Sequence, residues 1–165
     1  MSSSDRRSVL QLLAGVPLLA ACGFTPAYGP QGIATKLRGR VEYEEPKSGP
    51  AFNLVKQFTV HFGRPEAATH RLNYSISTST QSGGFSSGNA ITRYLLNGSV
   101  TWSLEDLASQ ERVAGGTVSS FTSWSAAGST ISGLSAQEDA EDRLMIILAD
   151  QIADQILAQF SGLKP

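Results

Sequence analysis

Three times between His70 and Trp124 the chain alternates apolar and polar residues, and this period of two limits the architecture more than any other feature. Leu72, Tyr74 and Ile76 are separated by Asn73, Ser75 and Ser77 in the stretch His70 to Thr80. Tyr94, Leu96, Val100, Trp102 and Leu104 share one side of Ala90 to Leu104, and Val113, Val118, Phe121 and Trp124 mark Arg112 to Trp124. Successive side chains of a strand point to opposite faces, so each stretch predicts a strand with one buried and one wet face. The intervening segments, Gln81 to Asn89 (QSGGFSSGN) and Glu105 to Glu111, are short and polar and read as loops, which gives an antiparallel meander. The alternation in the third strand breaks near Gly115-Gly116, where a bulge would shift the register.

A sheet with one apolar face needs a covering layer. Ser135-Ala136-Gln137-Glu138 has the form of a capping box, and behind it Leu144, Ile147 or Leu148, Ile152 and Ile156 recur every three or four residues to about Phe160. That spacing predicts a long helix with one buried stripe, with Asp142, Asp150 and Asp154 off it. Upstream, Lys36 to Glu44 alternates, with Leu37, Val41 and Tyr43 opposite Arg38, Arg40, Glu42 and Glu44, and predicts a first strand. In Ala51 to Phe62 the apolar residues Phe52, Val55, Phe58 and Phe62 follow helical spacing, with Pro50 suited to the first turn and Gly63 to the end. Phe58, Val60 and Phe62 also alternate, which leaves a strand as the competing reading. The expected order is β-α-β-β-β-α: an α+β two-layer sandwich, a four-stranded, mostly antiparallel sheet with two helices on one face.

The first thirty residues carry a different signal. Arg6 and Arg7 precede an apolar stretch from Val9 to Ala21, about 13 residues, too short for the roughly 20 that a membrane-spanning helix needs. The stretch closes on Leu19-Ala20-Ala21-Cys22, a lipobox built around the only cysteine in the chain. In such a sequence the thiol receives a diacylglycerol, a peptidase cuts before the cysteine through the small residues ahead of it, and the new amino group is acylated. Several acyl chains make a stable anchor, at about 0.8 kcal/mol per buried methylene. The expected organisation is a cleaved leader over 1–21, a lipidated tether over 22–35 rich in Gly and Pro, and one α+β domain over 36–165. Gly23, where an Asp would retain the protein at the inner membrane, permits transfer to the outer membrane. Ser4-Asp5-Arg6-Arg7-Ser8-Val9-Leu10 fits a twin-arginine export motif, and equally an ordinary positive leader.

Composition removes several classes of function. Thirteen Lys and Arg stand against fourteen Asp and Glu, without the basic excess of a nucleic-acid binder. Loss of the leader takes the formal charge from −1 to about −2, so the mature total is not that of a polybasic membrane-surface binder. One cysteine excludes an internal disulfide or a cysteine-based zinc site, and His61 and His70 lack the spacing of a helical metal pair. No phosphate-binding loop and no GxSxG is present. No catalytic residue, metal site or cofactor is expected, beyond the N-acyl and S-diacylglycerol groups on Cys22.

Three stretches carry a family likeness: Ala21-Cys22-Gly23-Phe24-Thr25-Pro26-Ala27-Tyr28-Gly29, then Ile91-Thr92-Arg93-Tyr94-Leu95-Leu96-Asn97-Gly98, then Ala140-Glu141-Asp142-Arg143-Leu144 with Leu148-Ala149-Asp150-Gln151-Ile152. In these, and in its element order, the chain resembles the LPS-assembly lipoproteins of the LptE family. The resemblance implies a non-catalytic plug and assembly partner of the β-barrel protein LptD, anchored in the outer membrane on the periplasmic side or within the barrel lumen, and touching lipopolysaccharide in transit. Family contacts to lipopolysaccharide lie on basic residues near the loop between the second and third strands and the loop before the last helix. This chain departs there: residues 81–89 and 125–138 hold no Lys or Arg. The nearest basic candidates are Arg71, Arg93 and Arg112 on strands, whose other reading is a solvated strand face. A second class of function is a lipid-anchored module that binds another envelope protein, such as a cell-wall synthase activator or a barrel-assembly accessory. A third, a lipid-anchored enzyme, requires a catalytic constellation that the sequence does not offer.

Cys22→Ala should abolish metabolic labelling with a radioactive fatty acid and release the protein from membranes; unchanged labelling would refute the lipobox.

Overall fold

Three long strands dominate the fold: β2 (His70–Phe85), β3 (Ile91–Asp106) and β4 (Arg112–Ser125), joined as an antiparallel meander. A computed structural model of the chain describes residue 29, residues 32–126 and residues 130–162. Ahead of β2 lie a short helix α1 (Ile33–Leu37), a three-residue strand β1 (Val41–Tyr43) and helix α2 (Gly49–Phe62); helix α3 (Thr130–Gly162) ends the chain's described part. The sheet order is β1-β2-β3-β4, and β1 runs parallel to β2, with α2 as the crossover that a parallel neighbour requires. The α+β expectation and its element order hold, with α1 added at the front and one parallel pair in an otherwise antiparallel sheet.

The inner face of the sheet carries Leu72, Leu96, Val100, Trp102, Leu104, Ala114 and Val118, all buried. Cross-strand partners explain the match: Leu72, Leu104 and Ala114 form one rung, Ile76, Val100 and Val118 another. α3 lies over β3 and β4 and also packs against α2, so it is buried from two sides. Leu144, Leu148, Ile152 and Ile156 are fully buried, as the spacing predicts, and so are Met145, Ala149 and Ala153 beside them. Gly98 makes this approach feasible: a Cβ there would lie 2.7 Å from Leu144 Cδ2 and 3.2 Å from Leu148 Cδ1. Polar pins reinforce the contact. Trp102 Nε1 donates to Gln155 Oε1 at 3.1 Å, and Thr122 Oγ1 to the Ala140 carbonyl at 2.8 Å.

α2 begins at Ser48, whose hydroxyl accepts from the Ala51 amide at 3.3 Å, and carries Pro50 in its first turn. Its end at Gly63 has φ +77°, a backbone conformation open to glycine. Tyr43 Oη donates to the Gly63 carbonyl at 2.7 Å and so ties β1 to this end, while burial pushes the phenol well above its usual range and keeps the donor proton in place.

Several expectations are corrected. Lys36 to Glu44 is not one strand: the chain is helical to Leu37, which lets Ala34 and Leu37 both reach the core. The buried face of α2 is Ala51, Leu54, Phe58 and Phe62, and Phe52 is 61% exposed. The loop expected from Gln81 is strand to Phe85, because ladder pairing of Gln81 with Leu95 and Ser82 with Tyr94 overrides the weak strand preference of Ser and Gly. The irregularity in β4 falls at Val113 rather than at Gly115-Gly116, since Leu104 pairs Ala114 while Glu105 pairs Arg112. Phe121, three residues past the inward Val118, sits on the outer face, 65% exposed. α3 starts at Thr130, which puts Ser135 inside the helix rather than at its cap.

Gly98→Ala should destabilise the domain by about 1–3 kcal/mol through overpacking against Leu144, measured as a lower urea midpoint; an unchanged midpoint would mean that α3 is not seated there.

Candidate partner-binding face

The face of the sheet turned away from the helices is the distinctive surface. In register across β2, β3 and β4 it presents Asn73, Ser103 and Gly115, then Ser75, Thr101 and Thr117, then Ser77, Ser99 and Ser119, then Ser79, Asn97 and Phe121, then Gln81, Leu95 and Ser123. Five rungs pass without a charged side chain. The hydroxyls bond to one another across the strands: Ser119 Oγ donates to Ser99 Oγ at 3.1 Å, Ser99 Oγ to the Val118 carbonyl at 3.2 Å, and Thr101 and Thr117 hydroxyls lie 3.2 Å apart. A trough of about 390 Å³ runs over the centre, between Ser77, Ser79, Asn97, Ser99 and Ser119, with Phe121 at its margin.

Past Ile76 strand β2 leaves the helices behind, while β3 stays under α3 at Gly98 and Leu96, the partners of Thr78 and Thr80. Thr78 to Gly83 are exposed on both faces, and the tip carries the exposed pair Phe85 and Ile91. At about 3.3 Å per residue the nine residues from Thr78 to Ser86 make an uncovered stretch of roughly 30 Å. The free edge of β4 is closed at two points by side chains of α3: the Gln159 amide exchanges bonds of 3.0 and 3.2 Å with the Gly115 backbone, and Arg143 Nη2 donates to the Ser123 carbonyl at 3.4 Å.

The three basic candidates are not brought together. Arg71 and Arg112 stand at one end of the sheet, both level with Glu105. Arg71 is engaged by Glu42, Nε to Oε1 at 2.6 Å, and Arg112 Nε donates to the Ala114 carbonyl at 3.3 Å. Arg93 stands twelve residues away along β3, about 40 Å at strand rise, and donates to Ser123 Oγ at 3.4 Å. The lipobox residues Leu19, Ala20, Ala21 and Cys22 lie outside the described residues.

The polar seam between α2 and α3 has no signature in the local pattern of either helix. Asn53 bonds Asp142, Gln57 Nε2 donates to Asp150 Oδ1 at 3.0 Å, and His61 Nε2 lies 2.7 Å from the same oxygen. Read alone, Asp142 and Asp150 look like solvated charges; their partners lie about 90 residues earlier and only the fold supplies them. His70 rests edge-on against Phe160 with Asp106 at 3.9 Å, and burial holds its imidazole below the usual range. Among the described residues no three His, Cys, Asp or Glu gather closely enough to hold a metal, and no helix is long and apolar enough to cross a membrane.

Comparison with known proteins supplies the family. The profile of LptE, lipopolysaccharide-assembly, matches residues 33–156, which run from the start of α1 deep into α3. The chain belongs to the LptE family. Solved structures agree in fold. A lipoprotein from Caulobacter crescentus CB15 superposes with a TM-score of 0.68 at 19% identity, covering 82% of this chain and all of that one. Rare lipoprotein B from Shewanella oneidensis gives 0.57 at 9% identity, covering 74% of this chain and 96% of that one. Lipoprotein B from Nitrosomonas europaea gives 0.56 at 15% identity, over 74% and 84%. The comparison with curated proteins gives no match. As an LptE-family member the chain is a lipopolysaccharide-assembly lipoprotein, in agreement with the resemblance read from its sequence.

Replacing Ser77, Ser99 and Ser119 together by Ala should change stability by less than about 0.5 kcal/mol, since these positions are exposed or half-buried and outside the core. Chemical denaturation checks this, and a larger loss would assign the ladder to the fold rather than to a partner.

Proposed function

We propose that this LptE-family protein is a non-catalytic, outer-membrane lipoprotein that occupies and stabilises the LptD β-barrel during lipopolysaccharide delivery. The observation that carries this reading is the outer sheet face: five consecutive rungs of Ser, Thr, Asn, Gln and Gly, interrupted only by Leu95 and Phe121, with charge only at the two ends, where Arg112 lies over Gly115 and Arg93 reaches Ser123. Wide outer-membrane barrels have polar, wet interiors. A hydroxyl-rich surface can exchange hydrogen bonds with such a wall without burying an unpaired charge, a step that would cost several kcal/mol. The uncovered end of β2 and the hairpin tip suit contact with such a wall, because they present backbone and small polar side chains that no helix covers.

In this reading Cys22 carries the acyl groups and the chain from Cys22 to Gly32 tethers the domain at the periplasmic side. Lipid A phosphates would need cations, and Arg71, already paired with Glu42, is a poor candidate. Arg112 and Arg93 remain as isolated contacts, so barrel binding is the primary role and lipopolysaccharide contact a secondary one.

The test is affinity purification of the tagged full chain from envelope extracts in a mild detergent. A barrel protein of LptD size should co-purify in equal amount and be lost with bulky charged replacements such as Ser99→Glu with Ser119→Glu. Capture of a cell-wall synthase instead, or of no barrel, would overturn the proposal.

A further inference from the structure

Net charge conceals a segregation that the fold makes physical. Residues 36–64 hold six basic residues against three acidic ones, whereas residues 66–162 hold four basic against ten acidic. The basic part is α1, β1 and α2, the elements that directly follow the tether. Lys47 is paired with Glu44 at 3.3 Å; Lys36, Arg38, Arg40, Lys56 and Arg64 form no ion pair among the described residues.

The outward face of α2 combines this charge with apolar surface. Phe52 is 61% and Val60 65% exposed, two turns apart, with Lys56 between them and Arg64 just past the helix end. They border a groove of about 430 Å³ that also includes Val55 and Thr59. Arg38 extends the positive surface, its Cγ lying where it would be 3.3 Å from a Cβ on Gly63. Large apolar side chains rimmed by basic ones on one helical face are the chemistry of contact with an anionic lipid surface. The rings enter the headgroup boundary, and the Lys and Arg stems reach back to the phosphates.

We infer that, before the domain is taken up by a barrel, the outward face of α2 rests on the anionic bilayer to which the chain is tethered, so that Phe52 and Val60 enter the lipid interface and Lys56 and Arg64 meet its phosphates. Two observations select lipid as the occupant. The charge complements phospholipid headgroups, and the tether bounds the distance: ten residues separate Cys22 from Gly32, a span of at most about 35 Å. The tether part of this argument rests on the lipobox reading.

The experiment uses the full lipoprotein purified from cells, with mass spectrometry of Cys22, reconstituted into vesicles of phosphatidylethanolamine and phosphatidylglycerol bearing brominated acyl chains. In the Phe52→Trp variant the emission added over wild type should be blue-shifted and quenched by roughly half or more, as for an aromatic ring in the interface. Phosphatidylcholine vesicles, or Lys56→Glu with Arg64→Glu in addition, should restore the unquenched, water-exposed signal. Circular dichroism verifies that these surface variants fold. Added emission that stays red-shifted and unquenched on anionic vesicles, with Cys22 acylated, overturns the inference and leaves the anchor standing. Quenching with an unmodified Cys22 supports the surface contact and sinks the anchor. Quenching that is equal on neutral vesicles and survives charge reversal overturns the electrostatic selection proposed here.

Discussion

The seating of α3 between the sheet and α2 is the contact on which the rest of the structure depends. One side of the helix meets β3 and β4, the other meets α2, and the buried residues Leu144, Met145, Leu148, Ala149, Ile152, Ala153 and Ile156 therefore cover two stripes instead of one. Each fully buried Leu or Ile contributes about 1.5–3 kcal/mol relative to exposure, so a few of them equal the whole stability of a typical domain. Gly98 is the complement on the sheet, and Trp102 with Gln155 fixes the register at which the helix lies.

Because both long helices gather on one face, the other face is released from packing and keeps a composition that no core would tolerate. The hydroxyl groups there satisfy one another, and the charges that the chain does carry stand at the ends of the sheet. This division, with stability supplied on one side and recognition left to the other, suits a protein of an assembly family whose surface works by fitting a partner. The uncovered end of β2 follows from the same asymmetry, since α3 lies over β3 and β4 rather than over β2.

Charge follows a third division, along the chain and then in space. The basic residues cluster in and around α1, β1 and α2, while α3 carries acids, two of which, Asp142 and Asp150, are used to bind α2 through Asn53, Gln57 and His61. Helix α2 is thus held to α3 by polar bonds along one flank, packed into the core by Phe58 and Phe62 on another, and left with Phe52, Lys56 and Val60 facing outward.

The sequence by itself determined the alternation of β2, β3 and β4, the buried stripe of Leu144, Leu148, Ile152 and Ile156, and the first turn and end of α2 at Pro50 and Gly63. These are local signals: a period, a cap or a motif needs no knowledge of distant neighbours. Only the tertiary structure decided which of two apolar faces α2 buries. Phe52 and Phe58 are about 120° apart around a helix of 3.6 residues per turn, both are hydrophobic, and only the position of α3 and β2 selects Leu54 and Phe58 over Phe52. Likewise β2 runs through Ser82, Gly83 and Gly84 because β3 offers it hydrogen-bond partners, and Asp150 is tied rather than solvated because Gln57 and His61 arrive beside it. In each case the deciding free energy comes from a residue far away in the chain, and no local pattern records it.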